Sequence, residues 1–158
     1  MMRLCSDLLS ALADRTIVTA ESCTGGGIGA ALTAVPGSSA NYKGGIISYT
    51  NWVKCHCLNV DEALLQNVGP VSAPVAEAMA SGARKVLQSD VAVSVTGLAG
   101  PGGDDYGNPV GTVFIGYSDS FRTVSREYHF SGDRAEVREQ ACTEALKLAL
   151  IYVEKRSE

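Results

Sequence analysis

One short stretch, residues 19–27, collects most of the side chains in this sequence that could do chemistry. It reads Thr-Ala-Glu-Ser-Cys-Thr-Gly-Gly-Gly and has Ser22 at its centre. The pattern predicts a buried strand running into a tight turn, followed by an Ala- and Leu-rich helix. A side chain at such a turn stands at the carboxyl edge of an open α/β sheet, where ligands bind, and the free N–H groups can hold an anion or an oxyanion. We therefore expect the chemistry here, with Ser22 as a candidate nucleophile.

The same turn also has a purely structural interpretation. Ser22 or Thr24 can cap the following helix, and the glycines can let that helix pack closely on the sheet. The stretch is neither a P-loop nor a GxSxG turn. The turn alone leaves both interpretations open.

A serine nucleophile needs a base, and the sequence offers few. Its two histidines, His56 and His129, are predicted to lie in an apolar helix and in an edge strand, where neither naturally points at Ser22. Lys54 is the alternative, because burial can lower the pKa of a lysine from about 10.4 toward neutrality. If the strand before Lys54 lies parallel to and beside that of Ser22, the lysine can reach the serine, and Tyr49 can orient it or relay a proton.

The five cysteines suggest neither a thiol nucleophile nor a metal site. Cys23 adjoins Ser22, but neighbouring side chains in a turn point in different directions, and nothing basic is evident to ionise this thiol. Cys55, His56 and Cys57 form a tight cluster with no second pair to complete four zinc ligands. We predict no metal, and an odd number of cysteines in a chain too large to need disulfides favours a reducing compartment.

The elements that must position these residues alternate along the chain. We predict an α/β fold, a single-domain three-layer α/β/α sandwich over residues 1–158, with a mostly parallel sheet of about five or six strands and an antiparallel edge hairpin. Residues 98–109 form a glycine- and proline-rich loop, and loops of this length are usually functional. The predicted helices are 2–14, 26–34, 52–58, 61–66, 74–87 and 134–155, and the predicted strands are 16–20, 44–50, 90–97, 110–117 and 123–130.

Composition limits the partners and the location. The chain has 13 Lys and Arg against 17 Asp and Glu and no basic run interleaved with aromatic residues, which argues against nucleic acid. No apolar run is long enough to span a bilayer or to form a signal peptide, so we expect no membrane association and a cytoplasmic location. The apolar faces of the first and last helices make a homo-oligomer possible.

Six motifs, in this order along nearly the whole chain, resemble the successive motifs of the CinA C-terminal domain family. The AESCTGG and TGxAGP blocks are the most specific of them. The motifs occupy residues 20–26, 48–54, 68–72, 96–101, 109–113 and 130–134.

That family includes stand-alone nicotinamide-nucleotide amidohydrolases. The resemblance implies hydrolysis of the carboxamide of nicotinamide mononucleotide, a small-molecule nucleotide substrate, to nicotinate mononucleotide and ammonia, without a metal or other cofactor. Ser22 and Lys54 match the family's proposed serine and lysine, and Tyr49 matches its tyrosine.

We expect the residues that bind the substrate to surround this trio. N–H groups of the turn around Cys23 to Gly25 are expected to hold the oxyanion, while Thr24, the amides of loop 96–101 and Arg134 are candidates for the phosphate. Thr96, Gly97, Gly100 and Pro101 are expected to form the wall that receives the ring or ribose. The predicted binding residues are Cys23, Thr24, Gly25, Gly26, Asn51, Thr96, Gly97, Gly100, Pro101 and Arg134.

The lysine motif departs from the family pattern. Where the family usually has Ser-Asn-Glu-Ala-Lys, residues 50–54 read Thr-Asn-Trp-Val-Lys, so Trp52 replaces a glutamate. Two further hypotheses therefore stand beside the nucleotide amidase. One is a Ser/Lys hydrolase of another small amide or ester, and the other is a non-catalytic nucleotide-binding or regulatory module.

Overall fold

The structure is a computed structural model that describes residues 1–155, and it has the predicted alternation of helices and strands. The strands run β1 (Ile17–Glu21), β2 (Tyr42–Ile47), β3 (Val91–Gly97), β4 (Thr112–Ser118) and β5 (Thr123–His129). The α-helices run α1 (Met2–Leu12), α2 (Gly27–Thr33), α3 (Asn51–Leu58), α4 (Glu62–Val68), α5 (Ala73–Val86) and α6 (Arg134–Lys155), and a short 3-10 helix spans Ser38–Ala40.

The five strands form one sheet in the order β2-β1-β3-β4-β5. β1 is parallel to both β2 and β3, whereas β4 is antiparallel to β3 and to β5. The prediction of a mostly parallel sheet of about five or six strands with an antiparallel edge hairpin is therefore confirmed. β3 and β4 are almost wholly buried, as their near-continuous apolar sequences require when both faces of a sheet are covered.

Helices cover the two faces of the sheet as the three-layer prediction requires. α1, α2 and α6 pack on one face around Leu8, Leu12 and Leu146, and α3, α4 and α5 pack on the other around Leu58 and Met79. On the α1, α2 and α6 face, β1, β3 and β4 share one core, whereas on the other face Phe114 of β4 packs in a small separate cluster with Val71 and Ala76. The carboxyl ends of β1, β2 and β3 open on the same edge of the sheet.

Several boundaries differ from the sequence prediction for local reasons. β2 ends at Ile47 and not at Thr50, because the Thr50 hydroxyl accepts from Val53 N–H and caps α3, so Tyr49 lies in the loop between them. Asp61 caps α4, since its carboxylate accepts from the Ala63 N–H. Ser72 holds the N-cap position of α5, but its hydroxyl donates to the Gly69 carbonyl and does not cap the helix.

Candidate active site

Ser22 lies immediately after β1, at the start of a tight turn. Its N–H donates to the Val95 carbonyl of β3, which ties the residue to the centre of the sheet. The Gly25 N–H donates to the Ser22 carbonyl over 3.1 Å and closes the turn. Gly25 and Gly26 have φ of 58° and 101°, a left-handed backbone that glycine adopts at little cost. The glycines are therefore needed to bring the chain from β1 into α2 beside Ser22.

A buried carboxylate supports this turn from beneath. Glu21 is 2% exposed, and its oxygens accept hydrogen bonds from the Thr24 hydroxyl at 2.7 Å and from the N–H groups of Ile28 and Gly29 at 2.9 and 3.0 Å. A negative charge at a helix N-terminus is stabilised by the free N–H groups and the helix dipole. Glu21 thus caps α2 and fixes the turn at the same time.

Lys54 reaches Ser22 from α3, the helix that follows the neighbouring strand β2. It lies one turn into α3, is 2% exposed, and its Nζ is 3.1 Å from Ser22 Oγ. The same Nζ donates to the Ser48 carbonyl at 2.8 Å and to the Tyr49 carbonyl at 3.4 Å. The predicted proximity of Ser22 and Lys54 is therefore present, and it arises because β1 and β2 are adjacent and parallel.

Burial makes Lys54 bind its proton less tightly than an ordinary lysine does. Loss of water around its ammonium group lowers the pKa of Lys54 from 10.5 to about 8. No ion pair involves this side chain among residues 1–155. A neutral amine has two N–H groups and one lone pair, which matches two carbonyl acceptors and one hydroxyl. The surroundings therefore suit a neutral lysine that accepts the Ser22 proton.

A cavity of about 280 Å³ opens beside the Ser22–Lys54 pair. Its wall contains one lysine and one arginine and no acidic side chain, so its electrostatic character suits an anionic ligand. It is lined by Ser22, Cys23, Tyr49, Asn51, Lys54, Pro70, Val71, Thr96, Gly97, Leu98, Ala99, Gly100, Gly102 and Arg134.

Nine of the residues predicted from the sequence therefore line one cavity, whereas four others do not. The Thr24 side chain is 1% exposed and gives its hydroxyl to Glu21, and Gly25 faces Arg138. Gly26 lines a different cavity, next to the edge strand β2. Pro101 is exposed and follows Gly100 through a cis peptide bond.

Arg134 bridges two walls of the cavity at its mouth. Its guanidinium donates to the Gly100 carbonyl at 2.7 Å and to the Tyr49 hydroxyl at 3.2 Å. Tyr49 is 58% exposed, so this bridge lies at the solvent side of the cavity, far less buried than Ser22 and Lys54. A guanidinium in this position can hold a phosphate while the reacting group lies deeper.

The turn provides two backbone donors rather than three. Gly25 N–H is already bonded to the Ser22 carbonyl, so it is not available to an oxyanion. The N–H groups of Cys23 and Thr24 donate to no oxygen atom anywhere in residues 1–155. These two groups, next to Ser22, are the candidates for an oxyanion hole.

Cys23 is not set up as a nucleophile. Burial raises the pKa of its thiol to about 11, and the nearby charges of Arg138 and Lys54 only partly offset this. A thiol with this pKa is protonated near pH 7, and the thiolate is the nucleophilic form. Ser22 is therefore the better candidate.

Part of the cavity wall, and the contacts that support it, were not predicted from the sequence. Pro70 and Val71 come from a segment that the family motifs include, but no site role was assigned to it. Loop 98–109 is fastened to this segment, since Asn108 Nδ2 donates to the Val71 carbonyl at 3.1 Å, and to α4, since the Tyr106 hydroxyl donates to the Gln66 carbonyl. Backbone acceptors leave no signature in a sequence, so these anchors were not predictable.

The remaining sequence candidates lie away from the pair. His56 is exposed and stacks on Trp52, with ring centroids 4.0 Å apart, and His129 pairs with Glu127 at the surface. Trp52, which departs from the family pattern, lines a separate cavity between α3 and α4. Within residues 1–155, no group of three His, Cys, Asp or Glu side chains is placed to hold a metal ion, and no helix is long and apolar enough to cross a membrane.

Comparison with known sequences gives a consistent result. The profile of the CinA C-terminal domain matches residues 2–153. A CinA-like protein of Mycobacterium marinum is 49% identical over 138 residues, which are 87% of this chain and 32% of that protein. The chain thus spans about a third of the length of such relatives. A protein of Pseudomonas putida named nicotinamide-nucleotide amidohydrolase PncC is 47% identical over 82% of this chain and 81% of its own length.

Solved structures agree with the fold. A CinA superfamily protein of Klebsiella pneumoniae superposes with a TM-score of 0.94 at 29% identity, covering 98% of both chains. The competence/damage inducible protein CihA of Agrobacterium tumefaciens gives a TM-score of 0.90 at 35% identity, covering 96% of this chain and 95% of its own.

Proposed function

This chain belongs to the CinA C-terminal domain family, and we propose that it is an amidohydrolase that converts nicotinamide mononucleotide to nicotinate mononucleotide and ammonia. The observation that carries the proposal is the buried contact between Ser22 Oγ and Lys54 Nζ, at 3.1 Å. This pair lies on the wall of a cavity whose charged side chains are basic, which suits a negatively charged nucleotide. The name of the Pseudomonas putida relative, which matches over most of both chains, supports the choice of substrate.

The first half of the reaction acylates the serine. Neutral Lys54 takes the proton of Ser22 as Oγ forms a bond to the carboxamide carbon, and the carbonyl electron pair moves to the oxygen. The N–H groups of Cys23 and Thr24 stabilise that oxyanion. When the C–N bond breaks, the protonated Lys54 gives its proton to the departing nitrogen, which leaves as ammonia.

The second half releases the product by the same groups. Lys54 is neutral again after ammonia leaves, so it can take a proton from a water molecule that attacks the acyl carbon. Collapse of the second tetrahedral intermediate breaks the bond to Ser22 Oγ and returns the proton to the serine. The product is the carboxylate, nicotinate mononucleotide.

The rest of the cavity positions the nucleotide. Arg134 and the Tyr49 hydroxyl at the mouth bind the phosphate, which places the pyridine ring inward, toward Ser22. Thr96 and Gly97 form the wall beside the ring; the Thr96 hydroxyl donates to the Pro70 carbonyl, so it keeps that wall in place.

Ammonia release from nicotinamide mononucleotide tests the proposal, with chelator present and no added metal. We expect turnover by the wild-type protein and loss of at least a thousandfold in Ser22→Ala and Lys54→Met, about the loss expected for a nucleophile and its base. Lys43→Met is the matched control, because Lys43 Nζ also donates to a backbone carbonyl but lies on the exposed edge strand.

The outcomes separate the alternatives. Turnover of unrelated small amides or esters but not of the nucleotide would assign the pair to another substrate. Binding of the nucleotide without ammonia release would favour a non-catalytic module. Activity that survives in Ser22→Ala would mean that Ser22 is not the nucleophile.

A further inference from the structure

Arg138 lies behind the nucleophile turn and has no part in the cavity wall. It is one helical turn after Arg134 on α6, yet it is not among the residues that line the cavity. Its Nε donates to the Cys23 carbonyl at 3.0 Å, and its Nη2 donates to the Thr24 carbonyl at 3.4 Å. The two arginines of this helix therefore face different partners.

The contact with the Cys23 carbonyl fixes the direction of a neighbouring N–H. The Cys23–Thr24 peptide is the central peptide of the turn that Gly25 N–H closes onto the Ser22 carbonyl. In a trans peptide the carbonyl and the N–H point in opposite directions. Because Arg138 holds the carbonyl on its own side, the Thr24 N–H points away from α6. Rotation of this peptide by half a turn would replace that donor by a carbonyl oxygen, which repels an oxyanion.

Thr24 is held from a second direction as well. Its hydroxyl donates to the buried Glu21 carboxylate at 2.7 Å. The side chain and the carbonyl are thus both occupied by charged partners, while the N–H has no oxygen acceptor within the described chain. The hydrogen bond from the Arg138 guanidinium to the Cys23 carbonyl also polarises the Cys23–Thr24 peptide and makes the Thr24 N–H a better donor.

We propose that Arg138 is a positioning residue for the amide hydrolysis: it holds the Cys23–Thr24 peptide so that the Thr24 N–H faces the oxyanion formed by attack of Ser22. The inference rests on the proposed function and extends it to a residue that does not touch the substrate. It assigns the two arginines of α6 different tasks, Arg134 binding the ground state and Arg138 favouring the transition state.

Arg138→Met tests this, since methionine keeps an unbranched side chain but has no N–H to give. We expect kcat for nicotinamide mononucleotide to fall roughly ten- to hundredfold, less than the loss of an oxyanion donor itself, with KM changed by less than about twofold. Arg138→Lys, with a single donor centre, should fall between. Arg84→Met is the control, because Arg84 also donates a side-chain hydrogen bond, to Ser118 Oγ, but lies on another helix.

A second measurement separates positioning from a general loss of structure. In 3-formylpyridine mononucleotide an aldehyde replaces the carboxamide, and the Ser22 O–H can add across its C=O to give a tetrahedral hemiacetal. In Arg138→Met the affinity for this analogue should fall by the same factor as kcat/KM. The affinity for nicotinate mononucleotide, a planar product that needs no oxyanion hole, should stay within about twofold.

The possible outcomes distinguish a positioning role of Arg138 from a structural or substrate-binding one. Equal losses for the aldehyde and the product, or a rise in KM with kcat unchanged, would overturn the positioning role in favour of a structural or substrate-binding one. Unchanged kinetics in Arg138→Met, with an active wild-type protein, would overturn this inference alone. A wild-type protein that releases no ammonia would instead overturn the proposed function on which it rests.

Discussion

Raising the pH from 7 to 9 changes the protonation of Lys54, and the reaction rate should follow it. With a pKa of about 8, about a tenth of Lys54 is neutral at pH 7, half at pH 8 and about nine tenths at pH 9. Because only the neutral amine can take the Ser22 proton, kcat/KM should rise about fivefold between pH 7 and 8 and less than twofold between pH 8 and 9. An ordinary lysine, with a pKa of 10.5, would give close to tenfold in each interval and no plateau.

The assay is ammonia release at substrate concentrations well below KM, because kcat/KM reports the pKa of the free enzyme. The range starts at pH 7 because the substrate phosphate has its second pKa near 6 and is almost fully ionised above it. Cys23, with a pKa raised to about 11, stays protonated throughout. A tenfold rise per pH unit up to pH 9, or a rate that does not change, would refute the assignment of Lys54 as a buried base with a lowered pKa.

Protein stability gives an independent measure of the same pKa. Below pH 8 both the folded and the unfolded chain carry the Lys54 proton, and the folded state bears the full cost of burying the charge. Between pH 8 and 10.5 the folded protein loses the proton first, so the unfolded state binds more protons and stability rises with pH. The difference between these two pKa values corresponds to about 3 kcal/mol. Relative to Lys54→Met, the free energy of unfolding of the wild type should rise by up to this amount across that interval in urea titrations.

Three further substitutions test how the site is supported. Glu21→Gln replaces a carboxylate that accepts three hydrogen bonds by an amide with one acceptor oxygen, so the free energy of unfolding should fall by about 1–3 kcal/mol, and an unchanged urea midpoint would contradict this. Gly82→Ala would place a Cβ against the Leu58 carbonyl where α5 meets α3, and thermal unfolding should report a loss of about 1–3 kcal/mol. Asn108→Ala removes the bond to the Val71 carbonyl that fastens the cavity loop; KM should rise about three- to tenfold with kcat nearly constant, and a fall in kcat alone would count against a wall-holding role.

The sequence predicted the parts of the site that depend on local pattern and strand order. An apolar run ending in Glu-Ser-Cys-Thr-Gly-Gly identified a strand and a turn, and a second strand before Lys54 placed the lysine at the same sheet edge if the two strands were parallel neighbours. The pairing of Ile17–Glu21 with Tyr42–Ile47 meets that condition. The proximity of Ser22 and Lys54 follows from the strand order, and few other strand orders are compatible with a small α/β sheet.

The parts that were not predictable depend on backbone groups and on side-chain direction. Lys54 Nζ is held by two carbonyls, and carbonyls carry no sequence signal. Thr24 was expected to face the phosphate, yet its hydroxyl is given to the residue that precedes Ser22. That it binds substrate stays a prediction, and its N–H is better placed to do so than its side chain. The role of Arg138 could not be predicted either, because its partners are backbone carbonyl oxygens 114 and 115 residues earlier in the chain.

The proposed role of Lys54 as a base depends on a tight contact between its helix, α3, and a neighbouring helix. A lysine keeps a pKa near 8 only while water is excluded from its amine, so the helix that carries Lys54 must stay closely packed against its neighbours. The α3 carboxyl end achieves this at Leu58, whose carbonyl lies where a side chain at Gly82 would be. A substitution that pushes α3 away from α5 should therefore admit water, raise the Lys54 pKa toward its ordinary value and lower activity near pH 7, even though the substituted residue is far from the substrate. On the proposed mechanism, catalysis by Ser22 and Lys54 therefore depends on the packing of α3 against α5.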